Sequence, residues 1–314
     1  MSAYYAHLTS EALLHINGPD TLKFLQGQTT CDTREVNLAQ TVAGAYCNPQ
    51  GRMVCDFQLA QLAEEHYALR LKADTLEAAA NTFGKYIVFS KADLDTDNSD
   101  WQVFACWGED IGEALRSLDL ELPSSRYGAT AGDGYLLVQM DDAGEQLEAY
   151  IDTANHPQHL AALTGATSEG EEANWQALQI LAGQGRVEGP NVEEFLPQML
   201  NYDVTGHVNF TKGCYTGQEI VARLHYRGKA KRRMYLGRLA AGVEAGAGTD
   251  LFIAGGEQNV GTLVNAAEDG DHTLCLVSAT EKGIAQGLLL GSAEGSQVEI
   301  LPLPYAVDED ESAE

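Results

Sequence analysis

Asn209-Phe210-Thr211-Lys212-Gly213-Cys214-Tyr215-Thr216-Gly217-Gln218-Glu219 packs a thiol, a lysine, two glycines and an amide–carboxylate pair into one short run. Thr216-Gly217-Gln218-Glu219 fits the Ser/Thr-x-x-Glu capping box. It predicts a helix with Thr216 as N-cap and Glu219 returning a hydrogen bond to the Thr216 backbone. Ile220, Val221 and Leu224 give that helix an apolar stripe, and Gly228 ends it. Glu219 and Arg223 stand four apart, a spacing worth ~0.2–0.5 kcal/mol when the two pair. Cys214 then lies just outside the positive end of the helix, with Lys212 close by. Both favour thiolate and lower a thiol pKa from its reference of about 8.5.

One reactive cysteine limits the chemistry. His207 or His225 could approach it, but a Cys–His protease site needs a geometry that spacing does not supply. One thiolate cannot hold a typical iron–sulfur cluster, which takes about four ligands. Redox exchange, transient transfer or a shared intermolecular ligand stay open. Arg223, Arg227, Lys229, Lys231, Arg232 and Arg233 follow at once. They read either as a solvated helix end or as an anion site for carboxylates, phosphates or an acidic partner. A polyglutamyl tail would suit such a site.

The surrounding composition sharpens the contrast. The chain has 314 residues and a formal net charge of −27, which disfavours non-specific binding to nucleic acid. Of 19 Lys and Arg, seven fall between Lys212 and Arg233, and Lys282 is the single base after Leu239. The six cysteines form no C-x-x-C pair, which argues against a disulfide framework or a zinc site. No apolar run approaches ~20 residues, and the first residues lack a secretory pattern, so the expected location is cytoplasmic with no membrane span.

Outward from the signature, elements alternate irregularly. Ala12–Ile16 reads as a strand, and Asp20 as the N-cap of a short helix ending near Gly27. The polar cluster Gln26–Asp32 follows, either a capped loop or the lining of a pocket. Val42–Tyr46, Met53–Ala60 and His66–Leu71 read as strands, with turn chemistry at Asn48-Pro49-Gln50-Gly51. Leu76–Phe89 and Glu171–Ala182 carry helical spacing. Trp101–Cys106 is a strand, and Tyr135–Met140 with Leu147–Ile151 a hairpin. After Arg233, short strands alternate with Gly-rich turns, as in a small antiparallel barrel or sandwich. The class is α+β, with no Rossmann fingerprint and no phosphate-binding loop. The last residues, Asp308–Glu314, read as an acidic tail.

Lys212-Gly213-Cys214-Tyr215-Thr216-Gly217-Gln218-Glu219, followed by Val221-Ala222-Arg223, resembles the signature K-G-C-Y-x-G-Q-E of the YgfZ family. These are folate-binding proteins similar to the glycine-cleavage T-protein. Phe24–Asp32, Phe195-Leu196-Pro197-Gln198 with Asn201, and Arg227-Gly228 with Lys231-Arg232 extend the resemblance over most of the chain. It implies two interleaved α+β folate-binding units around a central channel over 1–233, a C-terminal antiparallel β-barrel over 234–305, and a tail over 306–314. It implies tetrahydrofolate as cofactor and a role in maturing or repairing iron–sulfur proteins, including enzymes that thiomethylate tRNA.

The same resemblance assigns residues. Cys214 is the functional thiol, tuned by Lys212. Trp175, in the helix before the Pro197-Gln198 segment, matches the family's folate-contacting tryptophan; a second tryptophan of some members aligns with Glu11. Asp56 and Gln198 join the cofactor-binding set, Gln218 and Glu219 cap and shape the site, and Arg223 and Arg227 face the folate tail or a partner. T-proteins carry paired aspartates after a Gly-Gly turn. The matching stretch here is Gly51–Asp56, where only Asp56 remains and Cys55 stands where an acid is expected. That loss speaks against classical aminomethyl transfer. The reading expects a monomer with iron–sulfur client proteins as partners, no direct nucleic-acid contact and no bound metal. Its rivals are a tetrahydrofolate-dependent aminomethyl or methyl transferase and a non-catalytic acidic scaffold.

Overall fold

The computed structural model describes residues 2–307. Most of the expected tail, 308–314, lies outside the described residues. The chain starts with Tyr4–His7 (β1) in one sheet and continues with Glu11–Asn17 (β2) in another. The crossover is fastened chemically. The backbone N–H groups and hydroxyls of Thr9 and Ser10 all donate to the carboxylate of Glu172, at 2.5–3.1 Å.

After β2 come Thr21–Gln26 (α1), Val42–Cys47 (β3), Met53–Ala63 (β4), His66–Lys72 (β5), Leu76–Ile87 (α2) and Asp93–Asp95 (β6). The strands form a five-stranded antiparallel sheet in the order β3-β4-β5-β2-β6. Trp101–Trp107 (β7) then returns to the first sheet. It is followed by Ile111–Arg116 (α3), Ala129–Gly132 (β8), Tyr135–Gln139 (β9), Gln146–Asp152 (β10), Pro157–Ala166 (α4) and Ser168–Glu169 (β11). That sheet has the order β11-β1-β7-β10-β9-β8. A strand from the extreme N-terminus thus completes a sheet whose other members lie beyond residue 100. The two α+β units interleave, as the resemblance implies. β1 and β8, four residues each, were not anticipated; both are too short to carry a periodic signal.

Period-two alternation sorts the side chains between these sheets. On β4, Cys55 and Leu59 enter an apolar cluster with Leu14, Leu69 and Phe83. Asp56 and Gln58, on the alternate positions, are also buried but face the space between the sheets. Burial pushes the Cys55 thiol well above its ordinary value. Cys55 therefore does not stand in for a carboxylate beside Asp56, because adjacent strand residues point to opposite faces. The polar neighbour of Asp56 on its own face is Gln58.

Glu172–Leu181 (α5) and Gln218–Arg227 (α6) lead to the last unit. Arg232–Ala240 (β12), Asp250–Phe252 (β13), Gly261–Asp269 (β14), His272–Thr280 (β15), Glu281–Gln286 (α7), Leu288–Leu290 (β16) and Ser296–Leu301 (β17) follow. Their six strands close into an antiparallel barrel in the order β12-β15-β14-β13-β16-β17. Asn201, in the left-handed region at φ 59°, docks it. Its side chain donates to the Met234 carbonyl at 2.9 Å and accepts from the Met234 N–H at 3.3 Å.

The signature corrects its own sequence reading. Gly217, not Thr216, is the N-cap of α6, at φ 82° and with no side-chain cap. A Cβ there would meet the Asn48 carbonyl at 2.5 Å, so only glycine fits. Thr216 instead turns its hydroxyl to Gln28 Oε1 at 3.3 Å. No ion pair joins Glu219 to Arg223 among the described residues, and both are exposed.

Lys212 is buried and faces the polar cluster at 26–31. Its ammonium donates to the carbonyls of Gln26 (2.9 Å), Thr29 (2.7 Å) and Cys31 (2.6 Å). Its three protons are thus engaged, and it stitches two segments about 180 residues apart. Burial lowers its pKa from 10.5 to about 8. The unfolded chain therefore binds this proton more tightly, and the Lys212 contribution to stability rises with pH between about 8 and 10.5. Lys212→Met leaves three carbonyls without their donor, each worth roughly 1–3 kcal/mol if left unsatisfied. Urea unfolding is expected to show a loss of about 3 kcal/mol or more, and the variant should lose the Lys212 part of the alkaline rise.

Candidate functional site

The two sheets, α5 and strand β14 of the barrel line a cavity of about 720 Å³, a figure that includes space open to solvent. Its wall is unusually polar for an interior. Glu11 on β2, Arg70 and Lys72 on β5, Asp56 and Gln58 on β4, Glu148 on β10 and Arg186 after α5 all reach it. Trp175 presents an aromatic wall from α5 while packing on Trp107 at 6.2 Å between ring centroids. His207 lines it too, stacked on Tyr202 at 4.1 Å.

These charges neutralise one another. Glu11 meets Arg70 (3.2 Å), Lys72 (3.1 Å) and Arg186 (3.3 Å). Arg70 also meets Glu148 at 2.8 Å, and Tyr150 donates its hydroxyl to Glu148 at 3.1 Å. Asp56 accepts from Arg186 Nε and from the Val187 N–H (2.6 Å). Burial alone would raise the Glu11 carboxyl, but the charges of Arg186, Lys72 and Arg70 hold it well below the usual range. Burial raises Glu148 and Glu188, against the pull of Arg70 and Lys72 respectively. Burial also keeps His207 neutral, with its pKa lowered to about 3.

The structure divides the sequence-derived residues into three groups. Trp175 and Asp56 lie on the cavity wall. Cys214 is exposed at the surface, whereas the other five cysteines are buried. Lys212, buried between the two segments it stitches, directs its three donors at backbone carbonyls and none at Cys214. Gln198, Glu219, Arg223 and Arg227 do not line the cavity. Gln198 is buried and donates to the Val221 carbonyl at 2.8 Å, which anchors α6 rather than a ligand. Arg223 and Arg227 are exposed on α6. The basic run beyond them is partly structural: Lys229 pairs with Glu281 (2.8 Å) and Arg233 with Asp203 (2.7 Å).

Sequence reasoning missed Arg70, Lys72, Glu148 and Arg186, and weighed His207 only as a neighbour of Cys214, whereas it lines the cavity. Apart from its alignment with a tryptophan, it gave Glu11 no role. A usable signal existed in the strands, where a charged residue interrupts an apolar run, as Arg70 does between Leu69 and Leu71. A charge there is buried and paired, or it is not tolerated. Among the described residues no group of three or more His, Cys, Asp or Glu is arranged to hold a metal ion. No helix among them is long and apolar enough to cross a membrane.

No protein-family model matches the chain. The aminomethyltransferase T of the glycine cleavage system from Bartonella henselae shares its fold, with a TM-score of 0.74 at 16% identity over 96% of this chain and 86% of that one. The tRNA-modifying protein YgfZ of Yersinia pestis (strain Pestoides F) is 32% identical over 304 residues, covering 95% of this chain and 91% of the relative. That of Pectobacterium atrosepticum is 30% identical over 311 residues, covering 98% and 93%. At 30–32% identity over 95–98% of its length, the chain belongs to the YgfZ family.

Proposed function

We propose that this protein is a folate-binding accessory factor that supports tRNA modification by assembling or repairing iron–sulfur proteins, tRNA-thiomethylating enzymes among them. The observation that carries this reading is the cavity between the interleaved sheets, with Trp175 and Asp56 on its wall. The residues present fit a reduced folate. Trp175 offers a flat apolar face to a pterin, and the amides of Gln58 and Gln176 reach the same space to meet ring donors.

Asp56 argues against an aminomethyl transferase. Both of its oxygens are engaged, one by Arg186 and one by the Val187 N–H. A carboxylate so held positions Arg186 and is poorly placed to take a proton from a substrate. Tetrahydrofolate, when bound, supplies a one-carbon carrier; this chain's residues bind and orient it.

Cys214 acts at the surface, where a partner protein can reach it. The two features are joined by a short segment. Six residues separate His207 on the cavity wall from Cys214. Thr30 bonds the His207 carbonyl at 2.6 Å, Asn209 donates its N–H to the Thr30 carbonyl at 2.9 Å, and Lys212 holds the neighbouring carbonyls. The position of the thiol is thereby tied to the cavity wall.

Two measurements test the proposal. Intrinsic tryptophan fluorescence of the wild-type protein should be quenched saturably by folinic acid, and calorimetry should show Trp175→Ala weakening that binding at least about tenfold. Absence of binding in the wild type removes the folate reading. Cys214→Ala should fold and bind folinic acid normally, because the side chain is exposed and off the cavity. It should fail to restore tRNA thiomethylation in bacteria that lack their own family member; full restoration would refute the role of the thiol.

A further inference from the structure

Five non-glycine residues have positive φ among the described residues: Glu65, Asp119, Tyr127, Glu193 and Asn201. Only Tyr127 is aromatic, and only Tyr127 lines the cavity. A φ of 62° is sparsely populated for so bulky a side chain. Glycine would adopt it without strain, so a tyrosine there is held by its surroundings.

The holding groups are visible. The Tyr127 N–H donates to the Gln139 carbonyl at 2.7 Å. Its own carbonyl accepts from the Thr41 N–H (2.9 Å), the Thr41 hydroxyl (2.8 Å) and Gln40 Nε2 (3.0 Å). The Thr41 oxygen in turn accepts from Gln58 Nε2 at 2.6 Å, and Gln58 lies on the cavity face of β4. Tyr127 is therefore fastened to both sheets in a conformation its own sterics oppose. Outliers of this kind concentrate at ligand clamps.

Its neighbour completes a recognisable pair. The Arg126 guanidinium lies 4.9 Å from the Tyr127 ring centroid and donates to the Tyr127 hydroxyl at 3.2 Å. Arg126 Nε is buried with no hydrogen-bond partner. No carboxylate among the described residues forms an ion pair with Arg126, whereas Arg70, Lys72 and Arg186 are all paired. Its charge is felt at His207 on the cavity wall. A carboxylate entering this region thus meets one uncompensated guanidinium. Arg126, like the exposed Arg223 and Arg227, does not itself line the cavity; it adjoins the wall through Tyr127.

We infer that Arg126 and Tyr127 form a clamp for the benzoyl-glutamate part of a folate, with the ligand's aryl ring against Tyr127 and a glutamate carboxylate on Arg126. This rests on the folate reading and names where the acidic end of the ligand is held. The guanidinium lies over the tyrosine ring, whose residue lines the cavity. The Arg126 Nε–H is a donor without an acceptor, which a ligand carboxylate supplies.

Calorimetric titration of wild type, Arg126→Gln, Tyr127→Gly and Tyr127→Phe tests it. The ligands are folinic acid, 4-aminobenzoyl-L-glutamate and a tetrahydropterin without the tail. Arg126→Gln and Tyr127→Gly are expected to weaken folinic acid about tenfold or more and to leave the tetrahydropterin unchanged. Tyr127→Phe keeps the ring and should bind nearly as wild type. Tyr127→Gly should also keep or raise the thermal midpoint, since it relieves the left-handed strain; that separates lost stacking from lost folding. Wild-type affinity for folinic acid in both Arg126→Gln and Tyr127→Gly overturns the clamp while leaving the folate reading standing. Arg126-dependent binding of 4-aminobenzoyl-L-glutamate without any binding of folinic acid supports the clamp and sinks the folate reading. A wild type that binds neither overturns both.

Discussion

The carboxylate of Glu11 sits among three cations in the space where the two sheets and the segment after α5 meet. It is only 6% exposed, and it touches Arg70, Lys72 and Arg186. An isolated charge so deep would cost several kcal/mol, and removing one partner of a buried pair typically costs about 3–5 kcal/mol. The arrangement persists because every member is shared. Arg70 carries Glu148 from the other sheet, and Arg186 carries Asp56 from β4. The network therefore fixes how the two sheets and the segment after α5 are set against each other. Apolar packing alone would leave that setting free to slide. The cavity is the space this polar framework keeps open, since a wall of solvated or paired charges cannot collapse as an apolar one would.

Internal neutralisation also decides what the cavity can recognise. With Arg70, Lys72 and Arg186 committed to carboxylates of the chain itself, a bound anion gains little from them. The wall then selects by shape, by the face of Trp175 and by amide hydrogen bonds. At position 11 this chain carries the carboxylate on which three cations converge, an electrostatic tie between strands, and Trp175 supplies the flat surface from α5.

How much of this was legible in the sequence follows from the range of each interaction. The signature, the strand pairs around tight turns, α5 and the barrel were readable because their signals are local: periodicity, turn residues and Gly spacing. The capping box misled because the pattern at 216–219 does not encode that residue 217 is left-handed. Once Gly217 turns at φ 82°, the cap passes to a residue with no side chain, and Thr216 is released to Gln28. The contacts of Lys212 were hidden for a similar reason. Proximity in sequence suggested Cys214, but burial sent the ammonium to carbonyls about 180 residues away. Arg186 to Asp56, a separation of 130 residues, has no local signature at all.

The separation of thiol and cavity changes what the signature means. A nucleophile acting on a bound cofactor belongs inside the cavity, yet Cys214 is exposed and does not line it. The residues between them are not a loose tether. Asn209 accepts from the N–H groups of Thr211 and Lys212, both at 2.9 Å, and Lys212 then pins the loop from below. Tyr215 is buried beside it, with the Lys212 ammonium 5.3 Å from its ring. A segment bonded this densely transmits displacement, because packed and hydrogen-bonded elements shift between discrete arrangements rather than deform smoothly. A ligand that moves His207 would therefore move the loop that presents Cys214. On this geometry the buried lysine of the signature fixes where Cys214 stands relative to the cavity wall.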